Sequence, residues 1–325
     1  MLKNFRIDPH VHFRDREESY KETIAHGLFL AENQGVGMVF DMPNTKPSLL
    51  GETELKERLK LVPKNKKKKY FVYMGLSSDK KQIKQAVYCW KKYKEVIGFK
   101  MYAGESVGNL GVISVQNQDK IYEALTSLGY EGVLAVHCEK KKYLKESLFN
   151  PKDPESHFRA RPKKSEIEAI KDQIKLAKKN RFKGHLHITH ISSPESVELI
   201  EKAREDISIS CGITPHHILW NKEKFKENNG ILYKSNPPLR EKKDVIKLRN
   251  YLKQGKIDWI ETDYAPHAIS EKLFSPYCSG FPSLCIYKNF IEEFLPKLGL
   301  SKKEIERLTF ENIYKVFKHK LGKIS

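Results

Sequence analysis

No stretch of this 325-residue chain approaches the roughly 18 consecutive apolar residues that a membrane-spanning helix needs. The opening residues lack the apolar core of a secretion signal, so a cytoplasmic protein is expected. Cysteine is scarce: Cys89, Cys138, Cys211, Cys278 and Cys285 are odd in number, widely spaced and without a Cys-x-x-Cys pair. That argues against both a disulfide framework and a thiolate zinc site. Acidic residues are also in deficit, 41 against 60 lysines and arginines, for a net charge of +19. Such a balance invites a nucleic-acid reading. Against it, the lysines are spread over nearly every expected helix, and aromatic residues do not interleave with them as a single-strand platform requires. The charge therefore reads as solvated helix faces, with a field that could steer a small anionic substrate.

What is present suits a folded core: 39% hydrophobic residues beside 31% charged. Apolar, β-branched runs recur at 5–13, 36–42, 70–76, 95–102, 132–138, 184–191, 207–213 and 257–262, separated by helical patterns such as 18–33 and 79–93. Eight βα units predict a (β/α)₈ barrel, a fold of about 250 residues with room here for elaborations. A single domain over 1–325 is expected, with closing helices from about 283 and no appended β-sandwich.

The chemistry-bearing residues cluster at the ends of these runs. Alternation along a strand points His10 and His12 the same way, so one ion can take both. Lys100, His137, His190 and Asp263 each close a later run, where a barrel places its catalytic groups. In His185-Leu186-His187-Ile188-Thr189-His190, alternation groups His190 with the apolar residues and favours it as the inward histidine. Histidines with a carboxylate suit divalent metals, zinc first. Lys100 cannot ligate as an ammonium, but a neutral lysine adds CO₂ to give a carbamate whose oxygens can bridge two ions. The glycine-spaced segment 104–111 is a candidate lid.

The ordered set His10-Val11-His12-Phe13-Arg14-Asp15, Asp41-Met42-Pro43-Asn44-Thr45, Gly98-Phe99-Lys100, Val136-His137-Cys138-Glu139, His187-Ile188-Thr189-His190, Thr214-Pro215-His216-His217, Asn236-Pro237-Pro238-Leu239-Arg240, Asp263-Tyr264-Ala265-Pro266-His267 and Gly280-Phe281-Pro282 resembles the dihydroorotases of the amidohydrolase superfamily. The resemblance implies two divalent metals held by His10, His12, carboxylated Lys100, His137, His190 and Asp263, with Asp263 also the general acid and base. It implies reversible cyclisation of N-carbamoyl-L-aspartate to L-dihydroorotate in pyrimidine biosynthesis. Arg14, Asn44 and His267 would hold the substrate carboxylate, and Asn236 and Gly280-Phe281-Pro282 would contact the ring.

Two departures stand out: Arg16-Glu17 where relatives commonly carry Pro-Gly, and Tyr264 where histidine is frequent. The rival readings are a cyclic amidohydrolase of hydantoinase, dihydropyrimidinase or allantoinase type, and an inactive scaffold for aspartate transcarbamoylase. Arg14 and Asn44 favour dihydroorotase, and the complete ligand set argues against the scaffold. A homodimer is the base-rate assembly.

Overall fold

The structure, a computed structural model, describes residues 5–105 and 110–324. Half of the 104–111 segment named above as a lid, residues 106–109, lies outside them. Eight parallel strands follow the chain around one sheet: β1 Arg6–Val11, β2 Val36–Asp41, β3 Tyr70–Gly75, β4 Val96–Ala103, β5 Val133–Cys138, β6 His185–Ile188, β7 Ile209–Ile213 and β8 Trp259–Ile260. Their order in the sheet is sequential, and a parallel bridge between Val11 and Tyr264, with the His12 amide donating to the Tyr264 carbonyl at 2.8 Å, brings the two edges together. This is the (β/α)₈ barrel expected from the spacing of the apolar runs. Among the described residues no helix is long and apolar enough to cross a membrane.

The strands read as nearly unbroken apolar runs because both faces are covered. The face turned to the helices packs Leu134, Val136, Leu186 and Ile188 into one large cluster. Inside the barrel a second cluster gathers residues from the starts of strands: Ile7, Phe71, Ile97, Val133 and Trp259. The closing helix Asn312–Leu321 stops this end, Phe317 packing on Phe40 at 4.9 Å and on Trp259 at 6.2 Å between ring centroids. The barrel's other end is left for polar groups.

Local signals set the helices. Asp79 accepts from the Lys81 amide and caps Lys80–Lys92, which buries Ile83, Ala86 and Val87 at helical spacing. The expected helix over 18–33 is divided. A short 3₁₀ turn, Arg16–Glu18, precedes a helix that starts at Ile24, because the Thr23 side chain accepts from the His26 amide and caps it there. The last strand is also shorter than the run 257–262, since residues beyond Ile260 turn toward the site. The densest lysine run is partly neutralised, Lys66 and Lys69 both pairing with Glu32.

Candidate metal centre

The C-terminal ends of the strands converge on a cavity of about 110 Å³ whose lining includes His10, His12, Arg14, Asn44, Lys100, His137, His190, Asn236, Asp263, His267 and Gly280. At the end of β1 the rings of His10 and His12 lie 5.2 Å apart. Their Nε2 atoms approach the same Asp263 oxygen, Oδ1, at 3.3 and 2.9 Å. Across the barrel, His137 Nδ1 faces His190 Nε2 at 3.1 Å, and His190 is 5.2 Å from His10, centroid to centroid. So many imidazoles and one carboxylate, nearly all buried, form a continuous donor surface.

Two of these residues are held in left-handed backbone conformations, His190 at φ 37° and Asp263 at φ 49°. Such strain in non-glycine residues persists only where surrounding contacts over-determine it. For His190 the cause is visible: its amide donates to Glu261, whose other oxygen accepts from His187 Nε2 at 3.0 Å. Strand alternation therefore does not turn His190 inward, since Leu186 and Ile188 face the helices. It is His185 and His187 that share a side with Ser210 and Glu261, and His187 stacks on Trp259 inside the barrel at 4.3 Å. His190 reaches the cavity because β6 ends at Ile188 and the chain turns.

Partners on the far nitrogens fix which lone pairs face inward. Asn44 Oδ1 accepts from His12 Nδ1 at 2.7 Å, leaving Nε2 bare toward Asp263. Glu139 Oε2 accepts from His137 Nε2 at 3.1 Å, leaving Nδ1 bare, and Arg161 in turn pairs with Glu139 at 2.6 Å. Such outer carboxylate and amide partners set the tautomer of a ligating histidine. Asn44, expected at the substrate carboxylate, thus spends its oxygen on His12. Glu139 and Glu261 did not emerge from the sequence, although each stands two residues from a candidate ligand.

Lys100 is fully buried on β4, and its ammonium donates to Thr189 Oγ1 at 3.1 Å. Among the described residues no carboxylate lies within ion-pairing distance of it. Burial pushes its pKa down to about 8, against the pull of Glu261 and Asp263. Burial also lowers His10 to about 4 and His190 well below the usual imidazole range. For Asp263 burial works upward, but His10, His12 and His190 overcome it and hold the carboxyl well below the usual range.

Beside this cluster Arg14, 6% exposed, donates from Nε to the Pro266 carbonyl at 3.3 Å and lies 3.3 Å from His267 Nε2. Among the described residues it has no carboxylate partner. Its backbone is clamped by buried Arg58, which donates to the Phe13 and Arg14 carbonyls and to Asp41. That clamp holds the loop in which Arg16 replaces the common proline, with Asp15 at φ 69° and Arg16 at φ 52°. The other departure is also accommodated: the Tyr264 hydroxyl donates to Glu22 at 2.6 Å and its ring meets Phe13 edge-on. Asn236 turns a buried amide oxygen, without a partner among the described residues, toward the same cavity. Of the Gly280-Phe281-Pro282 turn, only Gly280 lines this cavity; Phe281 and Pro282 line an adjoining one of about 540 Å³, with Phe281 stacked on Tyr233.

The donor set fits divalent ions of the zinc class. Both ring nitrogens of His10 and Nδ1 of His190 are buried without a hydrogen-bond partner among the described residues. A native interior rarely leaves such groups unsatisfied. Donor atoms of His10, His12 and Asp263 lie within 4.8 Å of one another.

No protein-family model matches the chain. It is 30% identical over 319 residues to the dihydroorotase of Methanosphaera stadtmanae, covering 95% of this chain and 68% of that protein. It is 32% identical over 278 residues to the dihydroorotase of Pyrococcus furiosus, covering 86% and 58%. Among solved structures, the L-hydantoinase of Arthrobacter aurescens superposes with a TM-score of 0.82 at 22% identity, over 96% of this chain and 70% of that one. The D-hydantoinase of a Thermus species gives 0.81 at 20% identity, over 96% and 70%. At those identities the superpositions speak for the barrel alone. The sequence likeness carries further, since it runs through the strand ends that build the cavity: the chain belongs to the dihydroorotase family.

Proposed function

We propose that this chain catalyses the reversible ring closure of N-carbamoyl-L-aspartate to L-dihydroorotate. The observation that carries the reading is Arg14, a buried guanidinium with no carboxylate partner among the described residues, placed beside the imidazole and carboxylate cluster. A site meant only for an uncharged cyclic amide has no use for that unpaired charge. A substrate bearing a carboxylate outside the reacting amide does.

His10, His12, His137, His190, Asp263 and Lys100, the last as a carbamate, would hold two divalent ions, zinc by the donor set. When bound, such ions polarise a carbonyl and make water a strong nucleophile near neutral pH. The remaining work falls to the chain. Arg14 receives the α-carboxylate through its fork, with His267 beside it and the free Asn236 oxygen available to a ring or ureido N–H. Closure forms one C–N bond between the ureido nitrogen and the side-chain carboxyl carbon and releases one water. Asp263, ionised in the folded protein, takes the proton from that nitrogen and returns it in the opening direction. Glu139, Asn44 and Glu261 keep the histidines oriented through either half-reaction. The same reading includes a single domain over the whole chain. It also includes a homodimer, to be checked by sedimentation.

The test is ring closure of N-carbamoyl-L-aspartate by protein of measured metal content, with ring opening of dihydropyrimidines and hydantoins assayed alongside. Turnover of the carbamoyl-aspartate pair alone is expected. Turnover of the uncharged rings moves the chain to the hydantoinase side, and fully loaded protein that turns over neither overturns the enzymatic reading. Lys100→Ala should lose bound metal and activity together; full metal and full rate in that variant would sink the carbamate.

A further inference from the structure

A second group of metal-binding side chains stands at the mouth of the cavity. His267 and Glu271 are one helical turn apart, on and just before the short helix Ile269–Leu273. Beyond it the chain folds back through Tyr277, at φ 52°, so that the Cys278 amide donates to the Glu271 carbonyl at 2.7 Å. This return brings a thiol beside the other two, and the three donor atoms all lie within 4.8 Å of one another. His267 Nδ1 is 3.4 Å from Glu271 Oε2. All three residues are partly exposed, and His267 also lines the 540 Å³ cavity, so an ion can enter from solvent.

We propose that His267, Glu271 and Cys278 form an auxiliary site for a thiophilic divalent cation of the zinc and cadmium class, whose occupancy strengthens binding of the substrate carboxylate. Sulfur, nitrogen and oxygen donors with an open fourth position are the combination that borderline and soft ions select. Thiolate and carboxylate together neutralise the dication. Burial, with the Glu271 charge, raises the Cys278 thiol despite Lys21, Lys234 and Arg14, so its deprotonation would come with coordination. Glu271 is not idle: its Oε1 accepts from Tyr20 at 2.7 Å and pairs with Lys21 at 3.1 Å. Oε2 accepts from the Ala268 amide at 3.2 Å and keeps a lone pair for a metal.

The coupling follows from the two faces of one imidazole. A cation on Nδ1 leaves the ring proton on Nε2. That nitrogen sits 3.3 Å from Arg14 Nη2, a group with donors only. Two donors cannot share the contact, and a carboxylate oxygen that accepts from both relieves it, so filling the auxiliary site favours the bound carboxylate. This consequence rests on Arg14 being the carboxylate anchor proposed above.

Cobalt is the probe. Added to the full chain it should give a sulfur-to-cobalt charge-transfer absorption in the near ultraviolet. Cys278→Ser and Cys278→Ala should abolish the band and bind about one cobalt fewer per chain, while Cys285→Ser keeps both. Zinc beyond the catalytic complement should lower KM for N-carbamoyl-L-aspartate about tenfold with kcat held, the scale of one charge-assisted hydrogen bond, and Cys278→Ser should be immune. Absence of the band, or its survival in both Cys278 variants, overturns the site. A band that depends on Cys278 with KM unmoved or raised in active enzyme overturns the coupling. If the chain does not turn over carbamoyl-aspartate at all, the function proposed above fails, and the band and stoichiometry still decide the site.

Discussion

At the scale of single residues, Arg14 shows how a side chain's function is read from what it does not pair with. An arginine with a carboxylate neighbour is a structural tie; this one is buried against a carbonyl and an imidazole and keeps its charge for something else. Arg14→Met, which preserves the stem and removes the fork, should raise KM for the carbamoyl acid by about ten- to a hundredfold and leave bound metal unchanged. Steady-state kinetics with metal analysis checks it, and an unchanged KM would place the carboxylate elsewhere. The residues that meet in the cavity were legible because each closes an apolar run in a type that few structural roles require. Glu139 and Glu261 were not. A carboxylate two residues from a histidine or aspartate has no type-specific signature, and its value appears only when the fold turns it onto a ring nitrogen or a strained amide.

At the scale of elements, β7 and β8 illustrate a strand end built as a bracket. Glu261 follows the two-residue β8 and accepts from the His190 amide, from His187 and, at 3.3 Å, from Trp259 Nε1. Space for it exists because Gly212 on β7 has no side chain: a Cβ there would lie 2.4 Å from the Glu261 carboxyl carbon. Every partner is a donor, so an amide in place of the acid sets donor against donor. Glu261→Gln should therefore weaken metal retention about ten- to a hundredfold and cost about 1–3 kcal/mol in stability. Gly212→Ala should show the same pair of losses. Dialysis against a chelator and urea unfolding read both, and tight metal with an unchanged midpoint would remove Glu261 from the support of the site. Element order and strand count were legible from periodicity, since eight apolar runs at helix-length spacing admit few arrangements. The boundaries at β6, β8 and the first helix were not, because a left-handed turn at His190, the bracket at Glu261 and the Thr23 cap are tertiary or side-chain choices that periodicity does not carry.

At the scale of the whole molecule, the barrel's polar end makes stability depend on pH in a definite direction. Buried histidines occur outside the metal cluster as well. His157, 3% exposed, donates to the Ser235 carbonyl at 2.8 Å, and burial, Lys234 and Arg161 push its pKa down to about 3. His217 donates to the Pro237 carbonyl at 3.1 Å and is pushed down by burial to about 4. Both therefore pin the loop that carries Asn236. Below the unfolded-state value of about 6.5 the unfolded chain binds protons that these folded imidazoles refuse, so stability present at neutral pH is lost as pH falls toward those lower values. Each contributes a slope of about 1.4 kcal/mol per pH unit in that window. Asp8 works the other way: burial raises its carboxyl to about 7, so the folded chain holds that proton more tightly and gains as pH falls from 7 toward the unfolded 3.8. One such acid offsets only one of the lowered histidines, which include His10 and His190 as well. Urea unfolding at pH 6.5, 5.5 and 4.5 should show stability falling with acid, and His157→Gln, which keeps a donor for Ser235 but cannot be charged, should fall less steeply by about 1.4 kcal/mol per unit. Parallel curves for the two proteins would mean that His157 accepts its proton in the folded state, and the acid sensitivity of the loop bearing Asn236 would then rest on His217 alone.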